Sequence, residues 1–141
     1  MDAKLLELVS QSYGRCCVSE GFFDSFYGIF LSKSPELRKL FEKTDMTKQK
    51  ALLREGIAFL TSFAKGSSVA ARKIESLGES HSAGRLNVAP DMYPIWVESL
   101  LEAIQKHDKK YDANLERAWR TVLSAGISKM AERYLSTKKA A

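Results

Sequence analysis

The strongest constraint on the fold is a stripe of aromatic residues in the first quarter of the chain. Its members fall at spacings that only a helix brings onto one face: Phe22, Phe23, Phe26, Tyr27 and Phe30. Four phenylalanines on one stripe require a deep hydrophobic core. The sequence therefore predicts a helix that begins near Glu20 and packs its aromatic face inward.

Apolar residues recur with helical periodicity along the rest of the chain, whereas two-residue alternation never lasts, which predicts an all-α protein. Ser34 and Pro35 form a good helix start, because the hydroxyl caps free amides and the proline fixes the first turn. We expect residues 1–135 to form one domain and residues 136–141 a polar tail. The other predicted helices run from about Ala3 to Arg15, Pro35 to Phe41, Thr47 to Ala64, Ser68 to Ala83, Pro90 past Ile104, and Leu115 to Tyr134.

Composition excludes several classes of protein. With 141 residues, 45% hydrophobic and 28% charged, the chain has the size and balance of one globular domain. Cys16 and Cys17 are adjacent and cannot form a disulfide framework, and no signal peptide or membrane-spanning run is present. We therefore expect a cytoplasmic protein that does not bind membranes.

The formal net charge of +5 is spread along the chain and forms no reading motif for nucleic acid. A mildly basic surface of this kind suits an anionic ligand or an acidic partner. We expect no binding to nucleic acid.

His81 is one of two histidines and lies on an apolar helical stripe. Ile74, Leu77 and Gly78 precede it by seven, four and three positions, so its imidazole points towards the buried face. Histidine is the commonest metal ligand, although a lone buried histidine is also an ordinary core residue. His107 lies in a run of charges, and we expect it to be an exposed surface residue.

The usual catalytic signatures are missing from the chain. It has no glycine-rich phosphate loop after a strand, no paired histidines for zinc, and no serine or cysteine beside an obvious base. Many enzymatic schemes are therefore set aside.

A set of motifs in a characteristic order carries a family resemblance. They are Phe26-Tyr27, Ser34-Pro35-Glu36-Leu37, Leu40-Phe41, Gln49, Leu53, His81, Pro90 to Tyr93, and Ala118-Trp119. In this order the chain resembles the globins, in particular the bacterial single-domain globins and the haem domain of flavohaemoglobins. The resemblance runs from about residue 4 to 134 and implies seven to eight helices around a haem b pocket.

The resemblance also implies roles for individual residues. His81 would be the proximal iron ligand, and the Tyr27 phenol would lie over the distal face as a hydrogen-bond donor to dioxygen. The alternative for Tyr27 is a packed aromatic whose hydroxyl bonds a backbone carbonyl. Gln49 would be a second distal donor, with Lys48 as the alternative. Gln49 is favoured because Leu53 then falls one turn onward, where the family also has a leucine.

Further pocket walls follow from the same resemblance, although Phe41 alone is equally consistent with core packing and each of the others alone is more often a packing residue. They are Phe41, which would wedge against the porphyrin, and Leu53, Leu77, Val88, Tyr93, Trp96 and Ile127. Flavohaemoglobins link the proximal histidine to a glutamate that Tyr93 would assist, but Tyr134 stands at that glutamate position and Glu132 lies on another face. Without a carboxylate partner for the proximal histidine, the resemblance favours ligand binding over peroxidase-like chemistry.

Three functional classes follow from the resemblance. The first is reversible binding of dioxygen, and of nitric oxide or carbon monoxide, by a monomer or weak dimer. The second is nitric oxide detoxification by a nitric oxide dioxygenase, which would need an external reductase as a partner. The third is a haem-based gas sensor or a haem-free signalling globin, against which the lack of an output domain counts.

Overall fold

The computed structural model describes residues 2–81 and 91–140. Within these ranges the chain forms seven α-helices and no strand, which confirms the predicted all-α class. The helices are α1 (Ala3–Val18), α2 (Phe22–Ser32), α3 (Pro35–Leu40), α4 (Met46–Ala64), α5 (Ser68–Ser80), α6 (Met92–His107) and α7 (Ala113–Ala140).

Local sequence signals explain where several helices begin and end. Ser34, Asp45 and Ser67 cap α3, α4 and α5 by accepting backbone N–H groups with their side chains. Gly21 (φ 81°) precedes α2 and Gly66 (φ 90°) follows α4. Both glycines have left-handed backbone conformations that other residues rarely adopt, so they separate consecutive helices cleanly.

The end of the chain differs from the prediction in its secondary structure. Helix α7 continues to Ala140 and therefore includes most of the segment predicted as a polar tail. The division into a domain of residues 1–135 and a tail of residues 136–141 stays a prediction.

The helices pack around a core that the aromatic stripe of α2 dominates. Helix α2 packs on α6, α5 packs on α7, and α4 contacts both α5 and α7. Phe22 and Phe26 are almost completely buried, and Phe26 stacks on Phe30 with ring centroids 5.3 Å apart. Helices α4 and α7 pack closely at Gly126, where a Cβ atom would collide with the side chain of Leu60.

A buried polar network joins α1 to α7 and to the turn after α6; we call it the Asp108 network. The indole Nε1 of Trp119 donates to Ser12 Oγ (2.9 Å), which donates to Asp108 Oδ2 (2.6 Å). Arg15 donates to the same carboxylate through Nε (2.6 Å) and Nη2 (3.0 Å), and the Lys110 N–H donates to it at 3.0 Å. No buried side-chain polar atom of this network lacks a hydrogen-bond partner.

The prediction that His107 is exposed is wrong. Its ring is half-buried beside Phe22, with centroids 5.7 Å apart, and its nitrogens lie 2.6 Å from Ser19 Oγ and 2.8 Å from Ser25 Oγ. Ser19 follows α1 and Ser25 belongs to α2, and a charge run read along the chain does not reveal such long-range contacts. His107 therefore joins the end of α6 to the end of α1 and to α2.

Candidate ligand-binding cavity

A cavity of about 510 Å³ lies among α2 to α7; we call it the central cavity. Its size is within the range of sites that hold cofactors and drug-sized ligands, and its walls are mostly apolar. Leu40 and Leu52 line it while remaining 47% and 58% exposed. Its mouth therefore lies between α3 and α4.

The structure brings together all but one of the predicted site residues around this cavity. Those that line it are Tyr27, Phe41, Gln49, Leu53, Leu77, His81, Tyr93, Trp96 and Ile127. Val88, the remaining predicted wall, lies outside the described residues. The roles assigned to these side chains stay predictions, but their common location is a property of the fold.

His81 provides the cavity with an imidazole base, and its hydrogen bonds determine which ring nitrogen carries the proton. Helix α5 ends at Ser80, earlier than predicted, and His81 is its C-cap with its N–H still bonded to the Leu77 carbonyl. That carbonyl also lies 2.7 Å from Nδ1, and because it can only accept, Nδ1 carries the proton. Nε2 therefore keeps its lone pair, and it has no hydrogen-bond partner among the described residues.

The surroundings also favour the neutral form of His81. Burial lowers the pKa of the imidazole, and the hydrogen bond to Leu77 offsets part of this effect. A neutral imidazole is the form that coordinates a metal.

The donor set around His81 indicates what kind of group it could hold. Within the described part of the chain, no three His, Cys, Asp or Glu side chains come together as a metal cluster. A bare zinc ion normally takes three or four protein ligands. A single free imidazole in an apolar cavity instead suits a cofactor that brings its own remaining metal ligands, as haem does.

Tyr27 is the cavity's buried phenol. It is 6% exposed, and its ring is held by Phe26 (4.9 Å between centroids) and Phe41 (6.1 Å). Its hydroxyl donates to the backbone carbonyl of Gln49 at 3.4 Å, which is the alternative contact expected for a packed tyrosine. This distance is beyond the usual range for an O–H···O hydrogen bond, so the bond is weak. Burial raises the pKa of Tyr27 to about 12, so the phenol stays a donor.

The phase of α4 places Gln49 and Lys48 differently. Gln49 is half-buried and lines the cavity, close to the Tyr27 hydroxyl. Lys48 is exposed and does not line the cavity. Two apolar stripes of α4 line the cavity, one through Leu53 and the other through Leu52. This helix therefore contacts the cavity over a wide part of its surface.

Several lining residues were not predicted as site residues. They include Phe30, Leu37, Thr44, Glu55, Gly56, Phe59, Leu60, Ser80, Met92 and Met130. The apolar members have the spacing of ordinary core residues. Helical periodicity identifies an inward face but does not distinguish a wall of a cavity from packed core.

Tyr93 carries the one buried side-chain polar atom without a hydrogen-bond partner in the described part of the chain. The residue is 8% exposed, lines the central cavity, and has its pKa raised to about 12 by burial. Glu132 is exposed on α7, and the contacts of His81 Nδ1 among the described residues are with Leu77 and Ser80. His81 therefore has no carboxylate partner there.

Comparisons with known proteins agree on one family. The family model for globins matches residues 24–130 of this chain. The chain is similar to a crystal structure from Pseudomonas aeruginosa PAO1, a protein described as structurally highly homologous to a human haemoglobin. The identity is 46% and the TM-score 0.89, over 92% of this chain and 98% of that one. A search of curated proteins finds no match. The family match extends over the helices that surround the central cavity.

Proposed function

This chain belongs to the globin family, and on that premise we propose that it holds haem b in the central cavity through His81 and reversibly binds dioxygen. Nitric oxide and carbon monoxide would be further ligands. The observation that carries the proposal is the His81 imidazole in an apolar cavity, whose Nδ1 is bonded to the Leu77 carbonyl and whose Nε2 has no hydrogen-bond partner among the described residues.

The cavity fits the proposed cofactor in chemistry as well as in size. When bound, haem supplies a ferrous iron that takes a diatomic gas. Cys16 and Cys17 do not line the cavity and form no C-x-x-C-H attachment motif, which favours non-covalent haem b. The apolar walls would exclude water from both faces of such a group.

Tyr27 would stabilise the bound gas as a hydrogen-bond donor. Its hydroxyl gives up only a weak bond to the Gln49 carbonyl when it turns to another acceptor, and a neutral bond contributes about 1 kcal/mol net. A hydrogen bond to a partly charged acceptor is roughly twice as strong, so the exchange is favourable. The Gln49 amide, which also lines the cavity, would add a second bond.

His81 supports gas binding more than oxidative chemistry. Its Nδ1 proton goes to a neutral carbonyl, which raises ligand basicity less than a carboxylate would. Nitric oxide dioxygenation is the second candidate. It is favoured by the Tyr27 donor and would require an external reductase.

The cellular setting belongs to the proposal as well. We infer a cytoplasmic monomer or weak dimer. Among the described residues, none of the helices has the length and apolar character needed to cross a membrane.

The visible absorption spectrum tests the proposal most directly. Protein loaded with haem should give a ferrous spectrum that changes on exposure to dioxygen and carbon monoxide. His81→Ala should lose this spectrum because the axial nitrogen is gone, and His81→Gly should regain it with added imidazole.

His107→Ala is the matched control, since it removes the other histidine, which does not line the cavity, and should keep the haem spectrum. A His81→Ala protein with the unchanged ferrous spectrum would show that another residue holds the iron.

A further inference from the structure

A histidine and two serines meet at the end of α6; we call them the His107 cluster. His107 Nε2 lies 2.8 Å from Ser25 Oγ, and His107 Nδ1 lies 2.6 Å from Ser19 Oγ. The serines precede the histidine by 82 and 88 residues, so a search for a serine beside a base along the chain does not find this contact. All three residues are half-buried, and none of them lines the central cavity.

The two ring nitrogens of His107 can act differently. A neutral imidazole with its proton on Nδ1 donates that proton to Ser19 Oγ and accepts the Ser25 hydroxyl proton with Nε2. Phe22 contacts the same ring edge-to-face, with centroids 5.7 Å apart. A nucleophile within hydrogen-bond reach of a base, and a third group that orients the base, form the general arrangement for nucleophilic catalysis. In this cluster Ser25 is the nucleophile, His107 the base and Ser19 the orienting group.

Ser25 also lies near N–H groups that can stabilise negative charge. The N-cap of α2 is Gly21, which provides no side-chain acceptor for the first N–H groups of the helix. Ser25 follows one turn later, and its own N–H donates to the Gly21 carbonyl at 2.8 Å. Helical side chains point back towards the N-terminus, so the Ser25 hydroxyl is directed towards these N–H groups. An oxyanion formed on Ser25 would therefore have hydrogen-bond donors close by.

The surface beside the His107 cluster is more cationic than the sequence suggests. The three lysines of residues 106–110 are exposed, whereas Asp108, the one acid in this run, is 2% exposed and paired with Arg15. Among the acids beside the serines, Asp24 is held in an ion pair and Glu20 is exposed. A cationic surface raises the local concentration of anionic substrates. The surroundings therefore favour a substrate that carries negative charge.

We propose that the His107 cluster is an acyl-transfer site that hydrolyses small carboxylic esters, with a preference for anionic ones. Ser25 Oγ attacks the ester carbonyl, its proton passes to His107 Nε2, and Nε2 gives this proton to the alcohol as the ester C–O bond breaks. Water then loses a proton to Nε2 and attacks the acyl group on Ser25. The carboxylic acid leaves, and the proton returns from Nε2 to Ser25 Oγ. The reaction consumes only the ester and water.

A fluorophosphonate probe tests for the activated serine, because it reacts with nucleophilic serine hydroxyls. Peptide mass spectrometry of the labelled full-length protein should find the phosphonate on Ser25. Ser25→Ala should lose the label, and so should His107→Gln, which keeps a hydrogen-bonding side chain but has no base. Ser76→Ala, exposed on α5, is the matched control and should keep it. Wild-type protein without label on Ser25, or a His107→Gln protein labelled equally fast, would overturn the proposal.

Hydrolysis of 4-acetoxy-3-nitrobenzoate, an anionic aryl acetate, tests the activity. A positioned general base contributes about 10²–10⁴-fold, but the orienting group here is neutral. We therefore expect His107→Gln and Ser25→Ala to lower kcat/KM about tenfold or more, and Ser19→Ala to lower it less. Circular dichroism checks that each variant is folded. Equal kcat/KM in wild type and Ser25→Ala would overturn the proposal.

The preference for anionic esters is tested with the neutral amide of the same aryl acetate. The wild type should hydrolyse the anionic ester faster, and Lys109→Glu should reduce the difference because it reverses one charge of the cationic surface. Equal rates for the two esters in the wild type would overturn the preference. A missing haem spectrum would contradict the proposed function alone, because the His107 cluster does not line the central cavity.

Discussion

Two regions of this molecule bury polar side chains, and they treat them in opposite ways. In the Asp108 network, the carboxylate receives hydrogen bonds from Ser12, Arg15 and a backbone N–H, and no buried side-chain polar atom lacks a partner. Around the central cavity, Tyr93 Oη has no partner in the described part of the chain, and the Tyr27 hydroxyl makes only a weak bond at 3.4 Å. One region satisfies its polar groups internally, and the other leaves them available.

The difference indicates what each region is for. An unsatisfied buried polar group costs about 1–3 kcal/mol, so a fold retains one where something else repays that cost. Local departures from good packing and pairing are expected at functional sites. The contrast predicts that mutations in the Asp108 network reduce the stability of the fold without affecting ligand binding. Mutations of the polar groups around the cavity should change ligand binding without reducing stability.

The largest expected effect is that of Asp108→Ala. It removes a fully buried carboxylate and leaves Ser12, Arg15 and the Lys110 N–H without their acceptor. Because hydrogen bonds to a charged group contribute more than neutral ones, we expect the free energy of unfolding to fall by about 3 kcal/mol. Urea denaturation of the haem-free protein measures this loss, and the carbon monoxide spectrum of the haem-loaded protein should not change.

Acid titration of stability provides the control for this prediction. Burial alone would raise the pKa of Asp108, but the hydrogen bonds from Arg15, Ser12 and the Lys110 N–H outweigh it and lower the pKa below its ordinary value. Its contribution to stability is therefore complete above the ordinary pKa and is lost as the pH falls through the lowered one. Asp108→Asn should flatten stability in this acid range. An equally steep acid loss in Asp108→Asn would mean that other carboxylates dominate.

Tyr27→Phe should have the next largest effect, and on the ligand. The variant loses the donor to bound dioxygen but gives up only a weak hydrogen bond in the protein itself. We expect dioxygen to dissociate about tenfold faster, equivalent to roughly 1.4 kcal/mol, with almost unchanged stability. Stopped-flow displacement of dioxygen by carbon monoxide gives the rate.

Tyr13→Phe is the control for Tyr27→Phe, because its hydroxyl bonds the Arg54 carbonyl and does not line the cavity. An unchanged dissociation rate in Tyr27→Phe would leave the tyrosine as a packed aromatic only, and the division between the two regions would then fail on its ligand side.

The features predictable from the sequence were mainly the local ones. Helical periodicity and the Ser34 and Pro35 start signal lie within single helices, and they predicted the all-α class and the start of α3 correctly. The resemblance to globins supplied the prediction of His81 and of eight other residues that line the cavity, which is fewer than half of its lining. The exposure of His107 was predicted wrongly because its partners, Ser19 and Ser25, are distant along the chain.

The hydrogen-bond partners of the buried polar groups could not be predicted from the sequence for the same physical reason. The bond from Tyr27 to the Gln49 carbonyl depends on how α2 packs against α4, and the Asp108 network joins residues from both ends of the chain. A residue's type indicates that it can donate or accept a hydrogen bond. Only the tertiary packing decides whether it finds a partner.

Tyr93→Phe gives the smallest effect but the sharpest test, because its expected sign is unusual. Removing a hydroxyl that has no partner among the described residues should stabilise the haem-free protein by about 1 kcal/mol. Tyr111→Phe is the matched control, since the Tyr111 hydroxyl donates to Glu116 at 2.6 Å and its loss should destabilise by a similar amount. Urea denaturation of both variants measures the difference.

A destabilised Tyr93→Phe protein would mean that this hydroxyl is satisfied in solution, and the two regions would no longer differ in how they treat buried polar groups. Repeating the measurement with haem bound separates two reasons for keeping the tyrosine. If the gain in stability disappears when haem is bound, the hydroxyl forms a hydrogen bond only in the haem-loaded protein. That bond would offset the cost of leaving the hydroxyl unpaired in the haem-free protein. If the gain persists, the tyrosine contributes only its ring to the wall of the central cavity.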